Sequence, residues 1–154
     1  MMKCVVMGIG NPLLSDDRAG IEVVERLEKD GVDVATEAVF TVGFEVLDKI
    51  LGYDRAYIVD ACVLGQKPGT VHEVGVEDIF TTPLLSGSHA MTLGTTLKTG
   101  QMVFGDEMPK DLRIILIEAE TPTEFSNVCT PAVQAAIEKT VLRITEELAA
   151  ISAT

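Results

Sequence analysis

The chain has 154 residues, 24 acidic against 12 basic side chains and a formal net charge of −12, and nearly half of it is hydrophobic. That length and balance fit one domain around a single substantial core, leave no basic cluster to neutralise a nucleic-acid backbone, and offer no run of about 20 apolar residues to cross a bilayer. The amino-terminus reads as a strand rather than a signal peptide, and Cys4, Cys62 and Cys129 suit neither a disulfide framework nor a four-thiolate zinc site, so the expected location is the cytoplasm.

Residues 3–8 read as a buried strand and lead into Gly8-Ile9-Gly10-Asn11-Pro12-Leu13-Leu14-Ser15-Asp16-Asp17. The glycines invite a dinucleotide reading, but Leu13 stands where a phosphate-binding fingerprint needs its third glycine, and Asp16 and Asp17 at the helix entrance would repel a phosphate. No Gly-Lys-Ser/Thr triplet exists for a P-loop. An acid at a helix start is favoured by the helix dipole without any function. Asp16 takes that structural part, directed at amides of its own helix, and Asp17 is left as the candidate site residue.

A helix over about 16–29 carries Ile21, Val24 and Leu27 at helical spacing and ends at Asp30-Gly31. Val32-Asp33-Val34-Ala35 suggests a short second strand, and residues 43–51 a second helix with Phe44, Leu47, Ile50 and Leu51. A third strand over 55–60 delivers Asp60 at its end. Two successive strand–helix–strand units predict an α/β fold with a largely parallel sheet and helices on its faces.

After Asp60 the segment Gly65-Gln66-Lys67-Pro68-Gly69 is turn chemistry, and Thr70 to Val74 alternates like an antiparallel edge strand. His72 on that strand reads as an exposed strand histidine. His89 follows Ser86-Gly87-Ser88 and opens a helix over 91–101, the kind of junction where sites are built. Residues 112–118 form the last buried strand. Thr130-Pro131 then starts a long structural helix whose stripe is Val133, Ile137, Val141, Ile144, Leu148 and Ile151. No internal repeat or linker divides residues 1–154, which read as one domain.

In open α/β sheets, ligands gather beyond the carboxyl ends of the strands, so Asp17 and Asp60 are expected to converge there, with His89 folding back to join them. Two carboxylates and an imidazole suit a divalent cation such as zinc or nickel and leave positions open for water or substrate. Cys62 lies two residues after Asp60 and faces the same side of its strand; a buried structural thiol is the weightier reading, and a Cys62–His89 catalytic pair stays open. Ser86 and Ser88 lack the Gly-x-Ser-x-Gly elbow of a serine hydrolase. Asp17 and Asp60 alone would serve as acid and base, but a chain without Trp offers no sugar-binding platform.

The opening motif through Asp17 with Gly20, followed in order by Thr41-Val42-Gly43, Val59-Asp60-Ala61 and Ser88-His89, resembles the hydrogenase maturation endopeptidases, which trim the C-terminal extension of nickel-iron hydrogenase large subunits. The resemblance covers nearly the whole chain. It implies a five-stranded sheet flanked by helices on both faces and a metal-binding triad that falls on Asp17, Asp60 and His89. It also implies nickel as the metal, supplied by the large-subunit precursor and replaceable by zinc or cadmium in crystals. The family often has Glu where this chain has Asp17, which shortens the reach by one methylene. Many relatives also carry a Gly-x-Glu-Pro-like sequence where this chain reads Ile117-Glu118-Ala119-Glu120-Thr121-Pro122. The alternatives are a nickel-binding chaperone that holds the precursor without cutting it, and a metal hydrolase of small substrates.

Overall fold

A computed structural model describes residues 1–153. Strands β1 (Cys4–Ile9), β2 (Ala35–Val39), β3 (Arg55–Cys62), β4 (Val71–Val74) and β5 (Asp111–Glu118) form one sheet in the order β2-β1-β3-β5-β4. All pairings are parallel except β4 with β5. The helices are α1 (Ala19–Lys29), α2 (Phe44–Ile50), α3 (Val76–Thr81), α4 (Ala90–Phe104) and α5 (Pro131–Ser152).

Helices cover both faces, which is why the central strands read as continuous apolar runs rather than alternating ones. Val6, Tyr57, Val59, Ile115 and Ile117 pack with Val23 and Leu27 of α1 and Ile137 and Ile144 of α5. Their neighbours Val5, Met7, Ile58, Ile114 and Leu116 point the other way, onto Leu47 of α2, Ile79 of α3, and Leu93 and Leu97 of α4. Each such fully buried side chain contributes about 1.5–3 kcal/mol relative to exposure. The expected α/β fold, five mostly parallel strands between two helical layers, is thus the one adopted. Among the described residues no helix is long and apolar enough to cross a membrane.

Gly8 explains the glycines of the opening motif. A Cβ there would stand 2.1 Å from the carbonyl oxygen of Gly20, so α1 lies backbone to backbone on β1. They serve packing rather than phosphate binding.

Two local expectations are corrected. The second strand is Ala35–Val39 rather than 32–35, because the Val32 amide bonds back to the Leu27 carbonyl (3.1 Å) and closes the end of α1 through Gly31. Residues 76–81, unassigned from sequence, form α3, started by the Gly75 amide donating to Asp78 Oδ2 (2.8 Å).

Candidate functional site

β1 and β3 are neighbours, with Gly8 opposite Val59, so the residues that follow them emerge side by side at the carboxyl edge. Beyond β1 the chain turns into a single 3-10 turn, Asp16–Arg18. The Asn11 amide donates to Asp17 Oδ2 (2.9 Å), which fixes the partly exposed Asp17 beside the strand end.

Asp16 is fully buried and turned away from that edge. It accepts from the amides of Glu120 (2.8 Å), Thr121 (2.9 Å) and Thr130 (2.7 Å) and from the Thr130 hydroxyl. Burial pushes its pKa up, but the bonds from Thr121, Thr130 and Glu120 outweigh it and hold the carboxyl below its ordinary value. The structural role stands, but the amides belong to the segment between β5 and α5 and not to its own helix. The first amides of its own helix already have carbonyl partners: Arg18 N–H donates to Leu14 and Ser15, and Ala19 N–H to Asp16.

Asp60, near the end of β3, is partly exposed and accepts the Ala61 amide on Oδ1 (2.8 Å). The surrounding protein, and then the negative charge of Asp17, push its pKa up to about 8 against that one hydrogen bond. The two carboxylates are therefore within electrostatic reach. His89 is exposed, directly before α4 and after a turn in which Ser88 Oγ accepts the Ala90 amide (3.2 Å). Asp60 and His89 border one cavity of about 30 Å³, together with Ala61, Cys62, Val63, Leu64, Ala90 and Leu116.

Asp60 is thus the link: it feels the charge of Asp17 on one side and shares a cavity with His89 on the other. The donor atoms of Asp17, Asp60 and His89 do not all lie within 4.8 Å of one another, so the set is not gathered around a single ion position in this structure. Its chemistry fits zinc or nickel. Two carboxylates within electrostatic reach of each other favour an incoming positive charge. A space of about 30 Å³ holds an ion or a water. Small-molecule pockets run about 300–1,000 Å³. The larger grooves, one of about 490 Å³ lined by Met1, Met2, Tyr53, Asp54 and Asp111, lie at the opposite edge of the sheet.

One group was not legible in advance. Among the described residues, Cys62, His72 and Glu118 are the three whose ligand atoms all lie within 4.8 Å of one another. The expectation of an exposed His72 is corrected: the residue is half-buried, and its Nε2 is shut off from solvent without a hydrogen-bond partner. Residues 76–81 fold into α3 and help to cover this face of the sheet, which the alternating pattern of β4 alone does not reveal. Glu118 ends an apolar run just as Asp60 does, and that shared signal was the one available. Burial, then the charges of Glu118 and Asp60, push the Cys62 thiol up to about 12. It is a neutral thiol and not a nucleophilic thiolate, which counts against a Cys62–His89 pair.

A mostly parallel sheet with acids gathered beyond its carboxyl ends places the chain among α/β proteins that build their sites at that edge. The family model described as HycI, hydrogenase maturation protease, matches residues 21–147, a span that includes Asp60 and His89. Hydrogenase 2 maturation protease of Escherichia coli (strain K12) is 31% identical over 146 residues, covering 89% of this chain and 85% of its own. Among solved structures, the [NiFe] hydrogenase maturation protease HybD from Thermococcus kodakarensis matches with a TM-score of 0.77 at 27% identity, over 96% of this chain and 99% of that one. The hydrogenase maturating endopeptidase HybD of E. coli matches at 0.70 and 29%, over 93% and 90%. The chain belongs to the hydrogenase maturation protease family, and it is a peptidase.

Proposed function

We propose that this peptidase removes the C-terminal extension of a nickel-iron hydrogenase large-subunit precursor in the cytoplasm after nickel insertion, and that Asp17, Asp60 and His89 meet the nickel carried by the substrate. The observation that carries this reading is the position of Asp60. It is pressed by the charge of Asp17, shares a cavity with His89, and has room beside it for an ion and not for a small substrate.

Nickel here is the substrate's cargo. Two carboxylates and an imidazole on an accessible edge hold a metal more weakly than the thiolates of a substrate cluster, so the triad reads the metal without removing it. Docking on that ion brings the adjoining tail to the acids, where a carboxylate accepts the proton of the attacking water. Loops and the first residue of α2 at the same edge expose Leu13, Phe40, Phe44, Val63 and Phe125, an apolar rim suited to a polypeptide.

The test mixes the purified protein with nickel-loaded and nickel-free precursor and weighs the products. The expected result is loss of the extension from the loaded precursor alone, with free nickel added to the protease giving no rescue. Efficient cutting of the nickel-free precursor overturns the recognition step. A stable complex with no cleavage points instead to a chaperone.

A further inference from the structure

Cys62, His72 and Glu118 stand on three adjacent strands, β3, β4 and β5. Cys62 is the register partner of Glu118, and His72 is opposite Leu116, two residues before Glu118. Register partners and residues two apart point to the same face of a sheet, so all three side chains turn toward the layer of α2, α3 and α4.

This is a costly place for such groups to sit idle. His72 Nε2 has neither solvent nor a hydrogen-bond partner, and a ring nitrogen of His72 lies within 4.8 Å of the Cys62 sulfur and a Glu118 carboxylate oxygen. An unpaired buried polar atom is unfavourable, and native structures nearly always satisfy one. Glu118, only 2% exposed, is held in place because the Leu64 amide reaches both of its oxygens (3.1 and 2.9 Å). Lone pairs remain on each oxygen for a further partner. The Cys62 sulfur lies 3.9 Å from Glu118 Oε1, a weak contact at most.

We propose that Cys62, His72 and Glu118 form a second cation site, separate from the Asp17–Asp60–His89 triad, that takes a thiophilic divalent ion of the zinc type and ties β3, β4 and β5 together. Zinc accepts a thiolate, an imidazole and a carboxylate, whereas magnesium and calcium prefer oxygen donors and would be well served only by the carboxylate of the three. Donor atoms around a tetrahedral zinc are about 3.3–3.8 Å apart, so the observed spacing closes with a contraction of roughly 1 Å. On binding, the sulfur–hydrogen bond of Cys62 breaks, the sulfur keeps the electron pair for the metal, and the proton leaves to solvent. Three protein ligands leave a fourth position for water, and Cys62 also borders the cavity that contains Asp60.

The probe is cobalt(II) added to the metal-free full-length protein. The expected result is a thiolate-to-cobalt charge-transfer band in the near ultraviolet that saturates at one equivalent and is bleached by zinc. Zinc also raises the melting temperature. The band persists in Asp60→Asn and His89→Ala, so failure of the triad reading leaves this result intact. It disappears in Cys62→Ser, and cobalt affinity falls at least about tenfold in His72→Gln and in Glu118→Gln. A wild-type protein with no such band under excess cobalt overturns the proposal, as does a band of unchanged affinity in both His72→Gln and Glu118→Gln. The wild-type spectrum decides the matter even if Glu118→Gln fails to fold.

Discussion

Gly20 of α1 lies against the carbonyl oxygen of Val59, so close that a Cβ on Gly20 would meet that oxygen at 2.2 Å and the Ile9 carbonyl oxygen at 2.7 Å. Val59 is the residue before Asp60. The contact between helix and strand that the opening motif encodes therefore sets the position of the carboxylate at the end of β3. Both oxygens belong to backbone paired into the sheet, so neither yields cheaply.

Gly20→Ala should thus destabilise the fold by about 3 kcal/mol or more, at the upper end of overpacking costs, and lower activity beyond the loss of folded protein. Gly43→Ser, where a Cβ would meet nothing within 4 Å, should change stability by no more than about 0.5 kcal/mol. Urea midpoints for the two variants check this. Equal midpoints would remove the steric account of the motif.

Asp16 links two distant parts of the chain by accepting three amides from residues 120, 121 and 130. Asp16→Ala removes the acceptor of those amides, at a cost of about 1–3 kcal/mol for each one that water cannot reach. Asp16→Asn keeps one oxygen and should fall between wild type and Asp16→Ala. Hydrogen exchange at Glu120, Thr121 and Thr130 reads the effect directly, and unchanged protection in Asp16→Ala would refute it.

What the sequence discloses and what it hides follow from range. Strands β1, β3 and β5 and helix α5 were legible because burial on both faces or along one stripe leaves its period in the residues themselves. The placement of Asp60 near the end of β3 was legible because the apolar run of that strand stops there. Contacts over long separations leave no such trace. The partners of Asp16 lie over a hundred residues away, and the meeting of Cys62, His72 and Glu118 depends on β4 pairing with β5 rather than β3. The start of β2 was misplaced because apolar Val32 and Val34 pack beneath α1 without joining the sheet.

The triad makes a prediction in which activity and stability part company. Asp17→Asn, Asp60→Asn and His89→Ala should each abolish processing, while His72→Ala, placed outside the triad, should leave cleavage largely intact. Asp60→Asn should also melt higher than wild type at neutral pH and above. Burial and the charge of Asp17 disfavour its ionised form, and an amide keeps the acceptor for the Ala61 amide without the charge. A lower melting temperature in Asp60→Asn would show that the acid stabilises the fold and would weaken its assignment to the site.

At the opposite edge of the sheet, acid sensitivity follows from a charged network. Asp111 accepts from Arg55 Nε (2.8 Å) and Arg113 Nε (3.2 Å), and Glu147 from the Tyr57 hydroxyl (2.7 Å) and Arg113 Nη1 (2.8 Å). Burial pushes both carboxyls up, but Arg113 and Arg55 around Asp111, and Tyr57, Arg113 and Arg143 around Glu147, hold them below their ordinary values. A depressed carboxyl stabilises the fold fully above its unfolded pKa and loses that contribution as pH falls through its folded value. Tyr57, pushed up to about 12 by burial and then by Glu147, remains a donor throughout. Both acids are partly exposed, so solvent and salt reduce the effect. As pH falls from about 8, protonation of Asp60 raises stability, while the contribution of Asp111 and Glu147 holds down to about pH 5 and is then lost, so the fall on the acid side should be gentler in Asp111→Asn/Glu147→Gln than in wild type. Urea midpoints across that range measure the slopes, and parallel curves for the two proteins would place the acid sensitivity elsewhere, with Asp16 the next group to test.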